Sequence, residues 1–489
     1  AKGKGKLDMK RLAGYVLWTL TGSAVAVIVL LYYQAASGPE PELWHTVKLD
    51  AEFSTDDADD VNSLEDYLQL EESVFAQLSE KVYSHIAAGS GNELVRYSSG
   101  SAADPRQRQP DWNRSFELTA DDPAGGVLLL HGMSDSPYSL RALGEELNQL
   151  GYRVLGMRMP GHGTVPSGLR TVQWQDMAAV VRIGMRHLAA AVGQKPVHII
   201  GYSTGAPLAI DFALDAAQGM VAPLPASLVL ISPAVAVSPA AALAKWKRRL
   251  SYLPGLDQLA WLQMEPEFDP YKYNSFATNA AEQVFRLTRY VAGRVAALEQ
   301  SGVAGYFPPV LVLKSTVDAT VSTDAVVDSL LGHLSHERNE LVLFDINRDA
   351  MKSTLLIDDP GPLTLRLMQE ASLPFSMTLV GNRGPGSDEV VIRHKPHHSA
   401  GVSLTESSGL SWPRGVISLS HVALPFPPDD PLYGRRPPGN DDALFLGQMS
   451  LQGERGLMKI SSDWLLRLRH NPFYDYLEQR VVDWIADTR

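Results

Sequence analysis

From residue 127 onward the chain alternates between two kinds of segment. Short runs of mostly branched apolar residues lie at 127–130, 152–157, 197–200, 228–231, 309–313 and 341–344. Between most of them lie stretches with helical apolar spacing, at 140–150, 174–192, 206–216 and 324–334. Runs that are apolar at nearly every position belong to strands buried on both faces. Strand–helix alternation therefore predicts a parallel sheet with helices on both sides. Two segments break the rhythm. One, at 234–305, is rich in Trp, Tyr and Leu and helical in fragments; the other, at 346–414, holds strand-like runs at 375–380 and 389–393. Further strands are predicted at 93–97, 115–118 and 416–419, and a last amphipathic helix from Asn471 to about Ile485.

One connection in this frame carries chemistry. Gly201-Tyr202-Ser203-Thr204-Gly205 joins an apolar run to a helical pattern. A G-x-S-x-G at a strand-to-helix turn lifts the serine hydroxyl above the sheet edge, and the flanking positions have room only for hydrogen. Serine is a weak nucleophile, so Ser203 requires a base, and the base requires an orienting carboxylate. Asp318 follows the run at 310–313, and His421 follows the run at 416–419, which gives the order Ser, Asp, His. Asp318 alone would read as a helix-capping or turn residue. Rivals to His421 are His394, His397 and His398. That cluster also raises the question of a metal, but no carboxylate stands at ligand spacing, and an exposed polar loop is the plainer reading. No cofactor or metal is expected. Oxyanion stabilisation needs two backbone N–H groups. Thr204 supplies one, and Met133, in His131-Gly132-Met133, supplies the other. His131 reads as a structural hydrogen-bonding residue, and His162, in Gly161-His162-Gly163, as part of a pocket wall.

Taken together, His131-Gly132-Met133, Gly161-His162-Gly163, residues 201–205, residues 315–321 and Ser420-His421 resemble the monoacylglycerol lipase and serine-aminopeptidase-like branch of the α/β-hydrolase superfamily. The resemblance covers about 120–345 well and 415–489 loosely. It implies a mostly parallel eight-stranded sheet, a helical cap at 234–305, and Ser203, Asp318 and His421 as the triad. Members mainly cleave carboxylic esters; some cleave amides or transfer acyl groups. The first 120 residues have no counterpart. The segment 346–414 is an extra insertion before the histidine, and Thr204 stands where small residues or Met are common.

The N-terminal third adds a membrane signal. Lys2, Lys4, Lys6, Lys10 and Arg11 precede 22 residues, 12–33, without a charge. As a helix these span roughly 33 Å, close to a bilayer's hydrocarbon thickness. The basic flank belongs in the cytoplasm, which places the rest on the extracytoplasmic side, the periplasm in a Gram-negative bacterium. A cleaved signal peptide is the rival, with Ala35-Ala36-Ser37 as its cleavage site, but secretory apolar cores are shorter. Residues 50–80 hold eleven acids and no Lys or Arg. Of these, 52–62 read as a solvated linker and 64–86 as an amphipathic helix able to pack on the body or on a partner. A net charge of -12 excludes a nucleic-acid partner, and zero cysteines exclude disulfides and thiol chemistry.

The predicted organisation is a basic tail (1–11), a transmembrane anchor (12–33), an acidic linker and helix (34–92) and an α/β-hydrolase domain (93–489). The expected activity is hydrolysis of an ester or lipid-like substrate. Two alternatives stand beside it. One is a structural or binding subunit of a membrane complex, meeting a protein partner through the acidic helix or the insertion. The other is an acyltransferase or peptidase using the same triad.

Overall fold

The computed structural model describes residues 4–36, 39–89, 91–235, 244–253, 255–318, 322–350, 356, 359–437, 439, 444–447 and 468–487. Its strands are β1 (Phe116–Leu118), β2 (Gly126–Leu130), β3 (Arg153–Met157), β4 (Val197–Tyr202), β5 (Ser227–Ile231), β6 (Trp261–Gln263), β7 (Phe276–Ala277), β8 (Val310–Ser315), β9 (Glu340–Phe344), β10 (Ser376–Asn382), β11 (Glu389–Lys395) and β12 (Leu404–Ser411). Helices are α1 (Lys4–Ala36), α2 (Leu43–Thr46), α3 (Leu64–Lys81), α4 (Arg141–Gln149), α5 (Trp174–Val192), α6 (Gly205–Ala217), α7 (Ala244–Leu250), α8 (Thr278–Ala296), α9 (Thr323–Ser329), α10 (Gly361–Gln369) and α11 (Tyr474–Ala486).

Among the described residues ten strands form one sheet in the order β1-β3-β2-β4-β5-β8-β9-β10-β11-β12, and β6 pairs with β7 separately. The stretch from β3 to β10 is parallel; β1, β11 and β12 run antiparallel at the two edges. Alternation along each strand sorts its side chains between two cores. Leu128 and Leu130 join α5, α6 and α8 on one face, while Val127 and Leu129 join α4 and α11 on the other. The chain moves from β2 outward to β3, then returns to β4 on the opposite side of β2. At such a reversal the loops leaving the strands diverge, which opens a crevice at their carboxyl ends. The connection from β4 into α6 lies there.

Four expectations need correction. The sheet has ten strands rather than eight, because residues 376–411 extend it: β10 pairs with β9 from Ser376↔Glu340 to Val380↔Phe344. Residues 416–419 are not a strand. The β9 edge they would have used is already taken by β10, so they pass as a loop fastened by Asn347, whose N–H donates to Ile417 O (2.7 Å) and whose Nδ2 donates to Val416 O (2.9 Å). Residues 93–97 are turns, with Arg96 N–H donating to Glu267 O at 2.8 Å. Finally, the 52–62 segment is no solvated linker. Phe53 is buried, the Glu52 carboxylate grips Arg158 with both oxygens (2.8 and 3.1 Å), and Thr55 N–H donates to Asp176 Oδ1 at 2.9 Å.

The acidic helix α3 packs on the body. Ser63 caps it, accepting from Asp66 N–H while Asp66 accepts from Ser63 N–H. Its face of Leu64, Tyr67, Val74, Phe75 and Leu78 is buried, and Leu68 points outward. Glu71 is buried too; it accepts from Arg158 Nε (3.1 Å), Ser115 N (3.0 Å) and Ser115 Oγ (2.8 Å). Burial pushes its carboxyl up while Arg158 and Ser115 pull it down. In α1, the stretch Arg11–Leu30 is long and apolar enough to cross a membrane, and the rest of the chain leaves it uncovered.

Candidate active site

Ser203 stands between β4 and α6 with φ 53°, a left-handed conformation that costs a non-glycine residue energy and persists only when its surroundings hold it. Three backbone bonds do so. Ser203 N–H donates to Ile231 O (3.0 Å), and Ser203 O accepts from Ala206 N–H (3.2 Å) and Ala234 N–H (3.1 Å). The flanking glycines are required by space. A Cβ at Gly201 would sit 2.6 Å from Gly205 O, and one at Gly205 would sit 2.1 Å from Leu130 O.

Across the crevice the loop after β2 presses on the serine: a Cβ at Gly132 would be 3.0 Å from Ser203 Cβ. The ring of His131 orients that loop. Its Nε2 accepts from Met159 N–H (3.0 Å), so Nδ1 carries the proton and donates to Gly132 O at 2.8 Å. Gly132 O and Met133 N–H belong to one planar peptide and point in opposite directions. Pinning the carbonyl therefore turns Met133 N–H the other way. Among the described residues neither Met133 N–H nor Thr204 N–H meets a protein acceptor. Burial holds the His131 imidazole at about 4 and the His162 imidazole at about 3, so both are neutral at pH 7.

Asp318 follows β8 and is buried, and its Oδ2 lies 2.8 Å from His421 Nδ1 although 103 positions separate the two residues. His421 opens a single 3₁₀ turn, and its ring lies against that of Tyr202, the residue before Ser203 (centroids 5.4 Å apart). The three rival histidines are elsewhere. β11 runs back from the crevice end of β10, and the register Thr378↔His394 places His394 toward the opposite sheet edge. His397 and His398 follow it there, with His397 N–H on Ser376 Oγ. No group of residues able to hold a metal occurs among the described residues.

Sequence reasoning missed what ties the 234–305 segment down. Lys272 Nζ meets Asp135 Oδ1 (2.9 Å), Tyr273 N–H donates to Ser134 O (2.8 Å), and Tyr271 stacks on Tyr138 at 4.0 Å. The Tyr273 hydroxyl donates to Gly161 O (3.1 Å) and accepts from Thr164 N–H (2.8 Å). These pairs lie more than 100 positions apart and leave no local signal. Residues 236–243 and 319–321 lie outside the described residues.

Residues 121–346 match the family described as serine aminopeptidase, S33. The thermostable monoacylglycerol lipase of Bacillus sp. (strain H-257) is 32% identical over 94 residues, which are 19% of this chain and 37% of that protein. The chain thus aligns with little more than a third of that relative's length. Among solved structures, one from work on the metagenome-derived lipolytic enzymes LipS and LipT shares 21% identity over 47% of this chain and 87% of its own, with a TM-score of 0.38. The monoacylglycerol lipase of Paleococcus ferrophilus shares 21% over 47% and 88%, with a TM-score of 0.36. The matched stretch, 121–346, holds the strand-to-helix turn at Ser203 and most of the doubly covered parallel sheet, and it is this region that is similar to the monoacylglycerol lipase and serine-aminopeptidase-like branch of the α/β-hydrolase superfamily.

Proposed function

We propose that the protein is a membrane-anchored serine hydrolase that cleaves carboxylic esters of apolar acyl groups, with Ser203, His421 and Asp318 as its triad. The observation carrying this reading is the 2.8 Å contact of His421 Nδ1 with Asp318 Oδ2, with the His421 ring against Tyr202, the residue before a serine held at φ 53°. An ionised carboxylate only accepts, so the imidazole proton sits on Nδ1 and Nε2 is left as the base. Nε2 takes the Ser203 proton as Oγ bonds to the ester carbonyl carbon. The carbonyl oxygen becomes an oxyanion between Met133 N–H and Thr204 N–H. The imidazolium then gives its proton to the departing alkoxide as the ester C–O bond breaks. Water, deprotonated by the same nitrogen, attacks the acyl-enzyme and releases the acid.

In this reading α1 spans the bilayer with Lys4, Lys6, Lys10 and Arg11 on the cytoplasmic side, and the catalytic domain stands on the other. The relative from Bacillus sp. (strain H-257) is a monoacylglycerol lipase, and a neutral single-chain ester is the substrate class we assign. A fluorophosphonate probe tests the chemistry: wild type is labelled, and Ser203→Ala, Asp318→Asn and His421→Ala are not. Labelling that survives Ser203→Ala overturns the site. Retention in the membrane pellet after an alkaline wash tests the anchor; release of the intact chain rejects it.

A further inference from the structure

Below the end of α1 the chain does not drift away from its anchor. Three peptide links, at most ~11 Å when extended, separate Ala36 from Pro39, and residues 39–42 form one rim of a groove of about 840 Å³. Its wall is largely apolar: Trp44, Ile86, Leu94, Met264, Phe268 and Leu446. Within this wall Leu94 is 56% exposed. Trp44 is buried, yet its indole N–H has no hydrogen-bond partner. An unmade bond at a buried donor costs free energy that a ligand oxygen would recover. The rim carries Glu40, Glu42, Glu93 and Glu265, all exposed.

We infer that this groove is a second lipid site, distinct from Ser203, which takes one acyl chain of a membrane lipid whose head group is not anionic. Its size falls in the range that encloses a small ligand. The apolar wall takes the chain, and Trp44 N–H donates to an ester carbonyl oxygen at the chain's head. The four carboxylates repel phosphatidylglycerol-like head groups and admit neutral or ammonium-bearing ones. A chain leaving the bilayer exchanges one apolar surrounding for another, so the hydrocarbon contributes little to selection. Choice falls to the indole and the rim. Residues 264–268 of the groove continue into Lys272 and Tyr273, which hold the loop after β2, so an occupant touches the segment that shapes the catalytic crevice.

The inference rests on the anchor reading only for its source of lipid, and the test separates the two. Full-length Ser203→Ala protein is placed in nanodiscs containing a diazirine- and alkyne-bearing acyl lipid, with either a glycerol or a phosphoglycerol head. Crosslinked peptides are then mapped by mass spectrometry. The expected result is labelling of peptides holding Leu94 and Met264 by the glycerol probe, several-fold above the phosphoglycerol probe. Trp44→Phe keeps an aromatic ring in the wall, removes the donor and should lower labelling about three- to tenfold. Met264→Trp, which fills the groove from a partly exposed wall position, should abolish it. Labels confined to α1 and the Ser203 crevice, or equal labelling in both variants, overturn the second site. If α1 peptides stay unlabelled and the chain leaves the nanodisc, the anchor reading has failed; the same probes in micelles then decide the groove alone.

Discussion

Where a Cβ at Gly205 would meet Leu130 O at 2.1 Å, the obstacle is backbone and cannot swing aside. Gly205→Ala should therefore cost about 3 kcal/mol or more, read from urea unfolding, and abolish probe labelling of Ser203. The role assigned to His131 is subtler, because its ring is expected to touch no substrate. It pins Gly132 O and, through peptide planarity, aims Met133 N–H. His131→Asn should lower kcat by about 10²- to 10³-fold, the effect of losing one oxyanion donor, with KM little changed. A large rise in KM with intact kcat would assign His131 to binding instead. Asp318→Asn should leave the melting temperature nearly unchanged and drop kcat by about 10⁴-fold, since the amide favours the wrong imidazole tautomer.

At the scale of elements, the N-terminal acidic segment is held by charge placed inside. Arg158 is 1% exposed and bonds to Glu52, Glu71 and the His162 carbonyl. Desolvating three charges is expensive, and their attraction offsets that only while all partners are present. Arg158→Met strands Glu71 and should destabilise the protein by about 3–5 kcal/mol. Adding Glu71→Gln to it should restore part of the loss, a coupling that a double-mutant cycle measures by urea unfolding. The strands β10 to β12 displace the expected histidine-delivering strand from the sheet. His421 then depends on a loop fastened by Asn347, with Trp412 packed edge-on against Phe473 of the C-terminal segment (4.8 Å).

For the whole molecule, buried titratable groups set the pH response. His131 and His45, each held at about 4, and His162, at about 3, lie below the ordinary histidine value of 6.5. The unfolded chain binds protons there before the folded one does, so the stability they carry is whole above pH 6.5 and is lost as pH falls toward 4 and 3. Glu267, raised by burial to about 7, acts oppositely: its penalty is full above pH 7 and is relieved as pH falls toward 4.5. Glu478, raised to about 7 by partial burial and neighbouring carboxylates, acts in the same sense as Glu267, but three histidines outweigh two glutamates, so the urea midpoint should fall between pH 6.5 and 4, and His162→Asn should make that fall shallower. A midpoint flat across this range would contradict the burial of neutral imidazoles. Much of the molecule was legible in its sequence because the signals are local. Periodicity is set by neighbours three or four positions apart, and the elbow is one pentapeptide, so the parallel sheet, α3, α6 and the sharp turn at Ser203 could be read directly. The count of sheet strands, the docking of residues 52–81 and the ties from Lys272 and Tyr273 could not, because each depends on an edge, a charge or a loop supplied from 30 to 140 positions away. His421 stands between the two cases: chain order nominated it among rivals, but only the register of β11 carried His394 to the far edge and only the closed tertiary structure brought an imidazole within 2.8 Å of Asp318.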